Sequence, residues 1–249
     1  MLQILNLTGG KQLTENIRLN KYLSDIGVCS RRAADRLAQE GKITVNGIAA
    51  QPGMRVTPQD DIRVEGKPVR KEEQKVYLAL NKPRGIVCTA EKREKNNIID
   101  YMNYPLRIYP VGRLDKDSEG LILLTNDGAI VNGMMRARNR HEKEYQVKVD
   151  RAFDSGFLER MAQGVPILDT VTRPCRIRRT GSDTFVIILT QGLNRQIRRM
   201  CEALGYRVVR LKRVRIMNIR LGSLPCGKWR ELTSEELRVL KAQIGEKTE

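Results

Sequence analysis

The stretch GRLDKDSEGLILLTNDG, residues 112–128, admits two backbones, and the choice between them decides the fold. As a calcium loop, Asp115, Asp117 and Glu119 would be oxygen ligands, Gly120 the sharp turn and Ile122 the apolar eighth position, with helices on either side. That reading fails at its far end. The twelfth position needs a bidentate Glu and holds Asn126, and the preceding RIYPVG, residues 107–112, contains Pro110 and reads as extended. The alternative is a polar turn over Asp115 to Gly120 that feeds a strand, LILLT at 121–125, closed by Asn126, Asp127 and Gly128. A turn of this kind is compatible with a site, because loops on a rigid scaffold carry function.

Working outward, VYLALNKPRGIVCTA (76–90), EYQVKVD (144–150) and TFVIILTQG (184–192) are likewise rich in β-branched or apolar residues. Helical patterns intervene around 129–138, 154–163, 196–204 and 234–244, the last with a capping-box candidate in Thr233 and Glu236. Strands and helices mixed without a regular βαβ alternation predict an α+β domain over 76–245, its mixed sheet largely antiparallel and flanked by helices. Neither a fixed-period repeat nor a low-complexity segment interrupts it.

Residues 1–15 read as a flexible start. In IRLNKYLSDIG (17–27), Leu19, Tyr22, Leu23 and Ile26 fall at helical spacing and Gly27 supplies a left-handed cap. Ser30 then caps RRAADRLAQEG (31–41), whose Ala33, Ala34, Leu37 and Ala38 point inward while Arg32 and Arg36 share another face. KITVNGIAA (42–50) centres on Asn46-Gly47, a tight type I′ hairpin, and DIRVEGKPV (61–69) closes the unit. The expectation is a small domain over 16–69 and a charged linker, RKEEQK, at 70–75.

Charge points to a polyanionic partner. The 249 residues carry 46 Lys and Arg against 29 Asp and Glu, a formal +17. The excess is concentrated between Arg173 and Arg215, where eleven Arg and one Lys face only Asp183 and Glu202. Arginine forks grip phosphates bidentately, which favours nucleic acid over a merely solvated face. Five cysteines, Cys29, Cys88, Cys175, Cys201 and Cys226, have no CxxC spacing, so neither a disulfide framework nor a zinc cage is expected. No apolar run approaches the roughly eighteen residues of a membrane span. The opening MLQILNLTGGKQLTEN lacks the features of an export signal. A soluble cytoplasmic protein is expected.

RLNKYLSDIGVCSRRAADRLAQEGKITVNG, residues 18–47, resembles the S4 RNA-binding domain, a match that extends from Arg18 to about Val69. The resemblance implies that Arg31, Arg32 and Arg36 touch RNA phosphates. GRLDKDSEGL (112–121) is similar to the central motif of the pseudouridine synthases, whose first Asp, here Asp115, is catalytic. LNKPRGIV (80–87) is similar to the strand motif behind that site, HEKEYQV (141–147) places Tyr145 as the active-site aromatic, and GLNRQIRRMCEALG (192–205) resembles the motif that supplies a basic partner, here Arg198. Together these motifs cover nearly the whole chain. They identify it as resembling the S4-domain-containing ribosomal RNA pseudouridine synthases, nearest their large-subunit branch; NDGAIVN (126–132), GVPILDTVT (164–172) and VRIMN (214–218) support that branch less firmly. One departure is that the chain ends soon after its last helix, where some members carry long basic tails, so the affinity such a tail lends is expected to be missing.

The implied reaction breaks the ribose C1′ to base N1 bond, turns the base and joins C1′ to C5. It needs no redox step and no group donor, so neither cofactor nor metal is expected. By the resemblance Asp115 supplies a carboxylate, which either attacks the sugar or removes a ribose proton. Burial would raise its pKa, and Arg198 is expected to oppose that rise. Tyr145 stacks on uracil and relays the C5 proton. Arg113 and Lys116 hold phosphates or fill the gap left by a flipped base, and Arg195 clamps backbone. Leu114, Gln196, Ile197 and Arg199 complete the expected RNA-binding set. His141 is assigned to structure or RNA contact and Cys201 to core packing. The expected partner is a stem-loop of 23S ribosomal RNA presenting a flipped uridine to a monomeric enzyme, with no membrane involved. Whether a tRNA is a second substrate stays open, and so does the choice of uridine. The competing expectation is a non-catalytic S4-type RNA-binding or ribosome assembly protein, which would have no use for Asp115, Tyr145 and Arg198 together.

Overall fold

The computed structural model describes residues 16–69, 74–135 and 141–245, and the chain divides into two compact units, Met1–Gln74 and Lys75–Glu249. The expected flexible start, four residues of the expected linker (70–73) and the end of the helix expected over 129–138 lie outside the described residues.

In the first unit, a short strand β1 (Ile17–Arg18) leads into helices α1 (Leu19–Asp25) and α2 (Arg31–Gln39). Strands β2 (Ile43–Val45), β3 (Ile48–Ala49), β4 (Arg55–Val56), β5 (Ile62–Val64) and β6 (Lys67–Pro68) follow. Leu19, Leu23 and Ile26 meet Ala34 and Ala38 over Ile43, Val45, Val56 and Ile62, which gives this unit a core of its own. Small alanines on α2 let the two helices approach closely. Ser30 caps α2 by accepting from the Ala33 N–H at 3.1 Å, and Gly27 follows α1 with φ 83°. Asn46 and Gly47, at φ 51° and 79°, make the expected turn between β2 and β3. The sheet runs β3-β2-β5-β6, all antiparallel. Arg31, Arg32 and Arg36 are exposed on α2.

The second unit contains β7 (Tyr77–Lys82), α3 (Ile98–Met102), β8 (Tyr109–Pro110), β9 (Glu119–Thr125), α4 (Gly128–Met135), β10 (Lys143–Val149) and α5 (Ser155–Gln163). A small hairpin, β11 (Pro166–Ile167) with β12 (Thr170–Val171), precedes β13 (Arg176–Arg179) and β14 (Thr184–Leu189). Then come α6 (Gln196–Ala203), β15 (Val208–Ile216), β16 (Ile219–Arg220), β17 (Trp229–Glu231) and α7 (Ser234–Ile244). The main sheet is ordered β13-β14-β10-β15-β9-β7-β17, with β8 beside β9 and β16 beside β15. As the sequence predicts, it is largely antiparallel. Its single parallel pairing among the described residues joins β9 to β15 over two residues, Glu119 with Lys212 and Gly120 with Arg213.

That seam divides the sheet into halves with separate cores. On one side Phe157 and Met161 of α5 and Ile197, Met200 and Cys201 of α6 cover Val147, Phe185, Ile187 and Leu211. On the other, β9 is buried on both faces: Leu121 and Leu123 pack against α4 and α7, Ile122 and Leu124 against α3. A strand covered twice needs the unbroken apolar run LILL and not alternation. Gly120 makes the seam possible. At φ 106°, a Cβ there would lie 2.2 Å from the Arg213 carbonyl oxygen, a contact no side chain tolerates.

Candidate active site

Asp115 opens a tight turn in which the Ser118 N–H donates to the Asp115 carbonyl at 3.0 Å. The turn leads directly into the seam strand β9. Beside it lies a cleft of about 300 Å³ whose walls include Arg113, Leu114, Asp115, Tyr145, Arg195, Gln196, Ile197 and Arg213. Asp115 and Tyr145, far apart in sequence, thus line one cleft, and both are half-buried. Tyr145 sits on β10 opposite Ile187 of β14 and Arg213 of β15.

Arg198 is not on the cleft surface. It is 7% exposed, and its Nη2 donates to the Asp117 carbonyl at 3.1 Å and to Ser118 Oγ at 3.3 Å, while Nη1 reaches the Val208 carbonyl at 3.3 Å. It therefore grips the backbone of the Asp115 turn, and no direct ion pair joins it to Asp115 among the described residues. The two charges still act through space. Burial and the neighbouring Arg195 lower the Arg198 pKa, and Asp115 and Asp117 pull it back up. Arg195 holds the N-cap of α6 with φ 51° and lies 3.6 Å from the Asp117 carboxylate.

The remaining expected residues divide by exposure. Leu114 is buried, its N–H donating to Cys88 Sγ at 3.4 Å. Gln196 and Ile197 are each 4% exposed, and the Gln196 side-chain oxygen accepts from the Leu193 N–H at 3.0 Å. These three shape the wall. Arg199 turns back to the Asn194 carbonyl at 3.2 Å. Arg113 and Lys116 are exposed, and the Lys116 carbonyl accepts from Gly85 at 2.8 Å, tying the turn to the LNKPRGIV segment. His141 approaches the Gly133 carbonyl at 3.2 Å through Nε2. Cys201 is fully buried, with its thiol pushed up to about 12.

Three cations around the cleft escape sequence reasoning. Arg213, 3% exposed, is one among eleven arginines in its region and has no motif to single it out. Lys143 lines the cleft, and burial and then Arg213 lower its pKa. Lys82 is fully buried behind the turn and donates to the Pro83 and Ile86 carbonyls, both at 2.8 Å. Burial lowers its pKa, and the Cys88 thiol, Asp115 and Asp117 oppose this while Arg213 adds to it. A lysine at the end of the apolar run VYLALNKP was the available signal, because lysine is almost never fully buried without partners.

A carboxylate and an aromatic ring share one cleft, next to buried guanidinium groups and on a strongly basic chain, an arrangement that suits an enzyme acting on a polyanionic substrate. Residues 76–203 match the family described as RNA pseudouridylate synthase, and residues 17–62 match the S4 domain. The chain belongs to the RNA pseudouridylate synthase family. It is 51% identical over 224 residues to the dual-specificity RNA pseudouridine synthase RluF of Escherichia coli K12, across 89% of this chain and 77% of that one. It is 39% identical over 234 residues to the ribosomal large subunit pseudouridine synthase B of Bacillus subtilis 168, across 90% and 96%. A crystal structure of a pseudouridylate synthase superimposes with a TM-score of 0.67 at 28% identity, covering 90% of this chain and 99% of that one. The protein is a pseudouridine synthase with an S4 RNA-binding domain, and RNA is its substrate. Among the described residues no helix is long and apolar enough to cross a membrane.

Proposed function

We propose that this enzyme isomerises specific uridines of 23S ribosomal RNA in the cytoplasm, acting as a monomer, with a tRNA stem-loop as the second substrate to test. The relatives support the substrate class: one bears the name of a dual-specificity RNA enzyme and another that of a large-subunit enzyme. Residues 16–69 are taken as the RNA-binding domain, 70–75 as a linker and 76–245 as the catalytic domain. One observation carries the mechanism: Asp115 and Tyr145 line a single cleft of about 300 Å³. That volume is at the lower end for ligand sites and suits one extruded nucleotide, not a stacked helix.

In this reading the target uridine swings out of its stack and its base lies on the Tyr145 ring. The Asp115 carboxylate then acts at the ribose, as nucleophile at C1′ or as base toward a ribose proton. Arg198 fixes where that carboxylate stands by holding the Asp117 carbonyl and the Ser118 hydroxyl. Tyr145 relays the proton that leaves C5 once the new bond forms. The exposed Arg113, Lys116 and Arg195 take phosphates, and Leu114, Gln196, Ile197 and Arg199 shape or brace the wall. Arg31, Arg32 and Arg36 contact the RNA from the S4 domain.

Asp115→Asn preserves the shape of the side chain and removes the charge. It should abolish tritium release from ribosomal RNA labelled at uridine C5 while RNA affinity stays within a few-fold of the parent. Turnover retained in that variant would end the assignment. Mapping pseudouridines in ribosomal RNA and tRNA from cells with and without the protein identifies the target.

A further inference from the structure

Arg213 has a hydrogen-bonding group that the protein leaves unused. Its Nε donates to the Leu121 carbonyl at 2.7 Å and its Nη1 to the Arg113 carbonyl at 3.3 Å. The guanidinium thus ties together the two chain segments that enter and leave the Asp115 turn. Its Nη2 is buried and finds no acceptor among the described residues. Leaving a buried charged donor unpaired is costly, and such groups are rare without a functional reason.

The location narrows what the acceptor is. Arg213 lines the same cleft as Asp115 and Tyr145 and stands directly opposite Tyr145 on the adjacent strand. Side chains paired in this way leave the same face of a sheet, with Cβ atoms about 5 Å apart. A base in the cleft beside the Tyr145 ring therefore lies within reach of the guanidinium. A phosphate is the poorer candidate, because at 3% exposure this floor would strip it of water. Arg113 and Lys116 are exposed at the rim and suit phosphates better.

We propose that Arg213 is a further substrate-contacting residue, which donates from Nη2 to a carbonyl oxygen of the flipped base and so selects uracil over cytosine. The proposal rests on the flipped-uridine reading above. Uracil carries its C2 and C4 carbonyls symmetrically about the axis through N3 and C6. Half a turn about that axis exchanges N1 with C5, as the isomerisation requires, and exchanges the two carbonyls. A fixed N–H beside the carbonyl edge meets an oxygen both before and after the turn, so the detached base finds the same hydrogen bond at both ends of the rotation. Cytosine bears an amino group at C4, and in one of the two orientations it would set donor against donor. Sites built around a hydrogen bond of this kind reject analogues that lack it.

The test uses the full chain and a stem-loop RNA carrying the mapped target as uridine, 4-thiouridine (both tritiated at C5) or an abasic site. Sulfur is the weaker acceptor. The parent enzyme should turn over uridine at least about tenfold faster than 4-thiouridine. Arg213→Met should lower kcat on uridine about 100-fold, the scale of one lost transition-state donor, and bring that ratio close to one. Arg213→Lys should recover part of both, and all three proteins should bind the abasic RNA equally. Discrimination that survives in Arg213→Met, a near-parental kcat, or weakened abasic binding would each overturn the proposal. If the Met variant does not fold, as judged by thermal melting, the ratio in the Lys variant decides. Direct binding of the uridine and 4-thiouridine RNAs is measured separately. Absent turnover in the parent would thus refute the isomerase reading and still leave the Arg213 contact decided by affinity.

Discussion

Arg198 illustrates how a residue's role depends on where its hydrogen bonds go. The sequence resemblance makes it the basic partner of Asp115, but its donors end on the Asp117 carbonyl, Ser118 Oγ and the Val208 carbonyl. Only a planar fork reaches all three acceptors, and a lysine cannot. Arg198→Lys keeps the charge and should still lose more than tenfold in tritium-release rate, with stability lower by about 1–3 kcal/mol in denaturant unfolding. Full activity in that variant would mean that the charge alone matters. Asp115, Tyr145 and Arg198 could be singled out as candidates because each sits in a local motif whose spacing survives in the linear chain, although the hydrogen-bond partners of Arg198 could not. Arg213 could not be singled out, because its significance comes from the strand pairing that sets it against Tyr145. Lys82 gave a weak sign, being a charge at the end of an apolar run.

Among the elements, β9 best connects sequence to architecture. Its continuous LILL run correctly announced a strand, and the extended RIYPVG before it matches β8. The parallel seam could not be read, because a contact of two residues between segments about ninety apart leaves no periodicity. Gly120 was visible as a turn residue, yet its role is to let two backbones touch. Gly120→Ala should cost more than about 2 kcal/mol, combining strain at positive φ with a clash against the Arg213 carbonyl. The measurement is chemical denaturation, and a variant within about 0.5 kcal/mol of the parent would refute the close approach. The helices followed their caps: Ser30, and the reciprocal pair Thr233 and Glu236, stand where the sequence put them.

At the scale of the whole molecule, the +17 charge and the S4 domain are the features on which the proposed grip on RNA rests. If Arg31, Arg32 and Arg36 each neutralise a phosphate, changing all three to Ala should reduce the slope of log affinity against log salt by about two to three. The kcat at saturating RNA should not change, since no reacting atom is involved. Filter binding across a salt series measures the first and tritium release the second. An unchanged slope would remove these arginines from the interface. Composition made the polyanionic partner legible at the outset, but it carries no information on which uridine is chosen, because that choice depends on the RNA's shape.

The two-residue joint between β9 and β15 has a mechanical consequence. The loop bearing the carboxylate springs from one plate of the sheet and the aromatic ring from the other, so the distance between them depends on the splice and on the side chains that cross it, Arg198 and Arg213. Arg213 acts there as a rivet, rooted in one plate and fastened to two carbonyls of the other. A slip of about 1 Å along the splice would leave both plates folded and still forfeit a hundredfold in rate, so this enzyme can lose its activity without losing its structure.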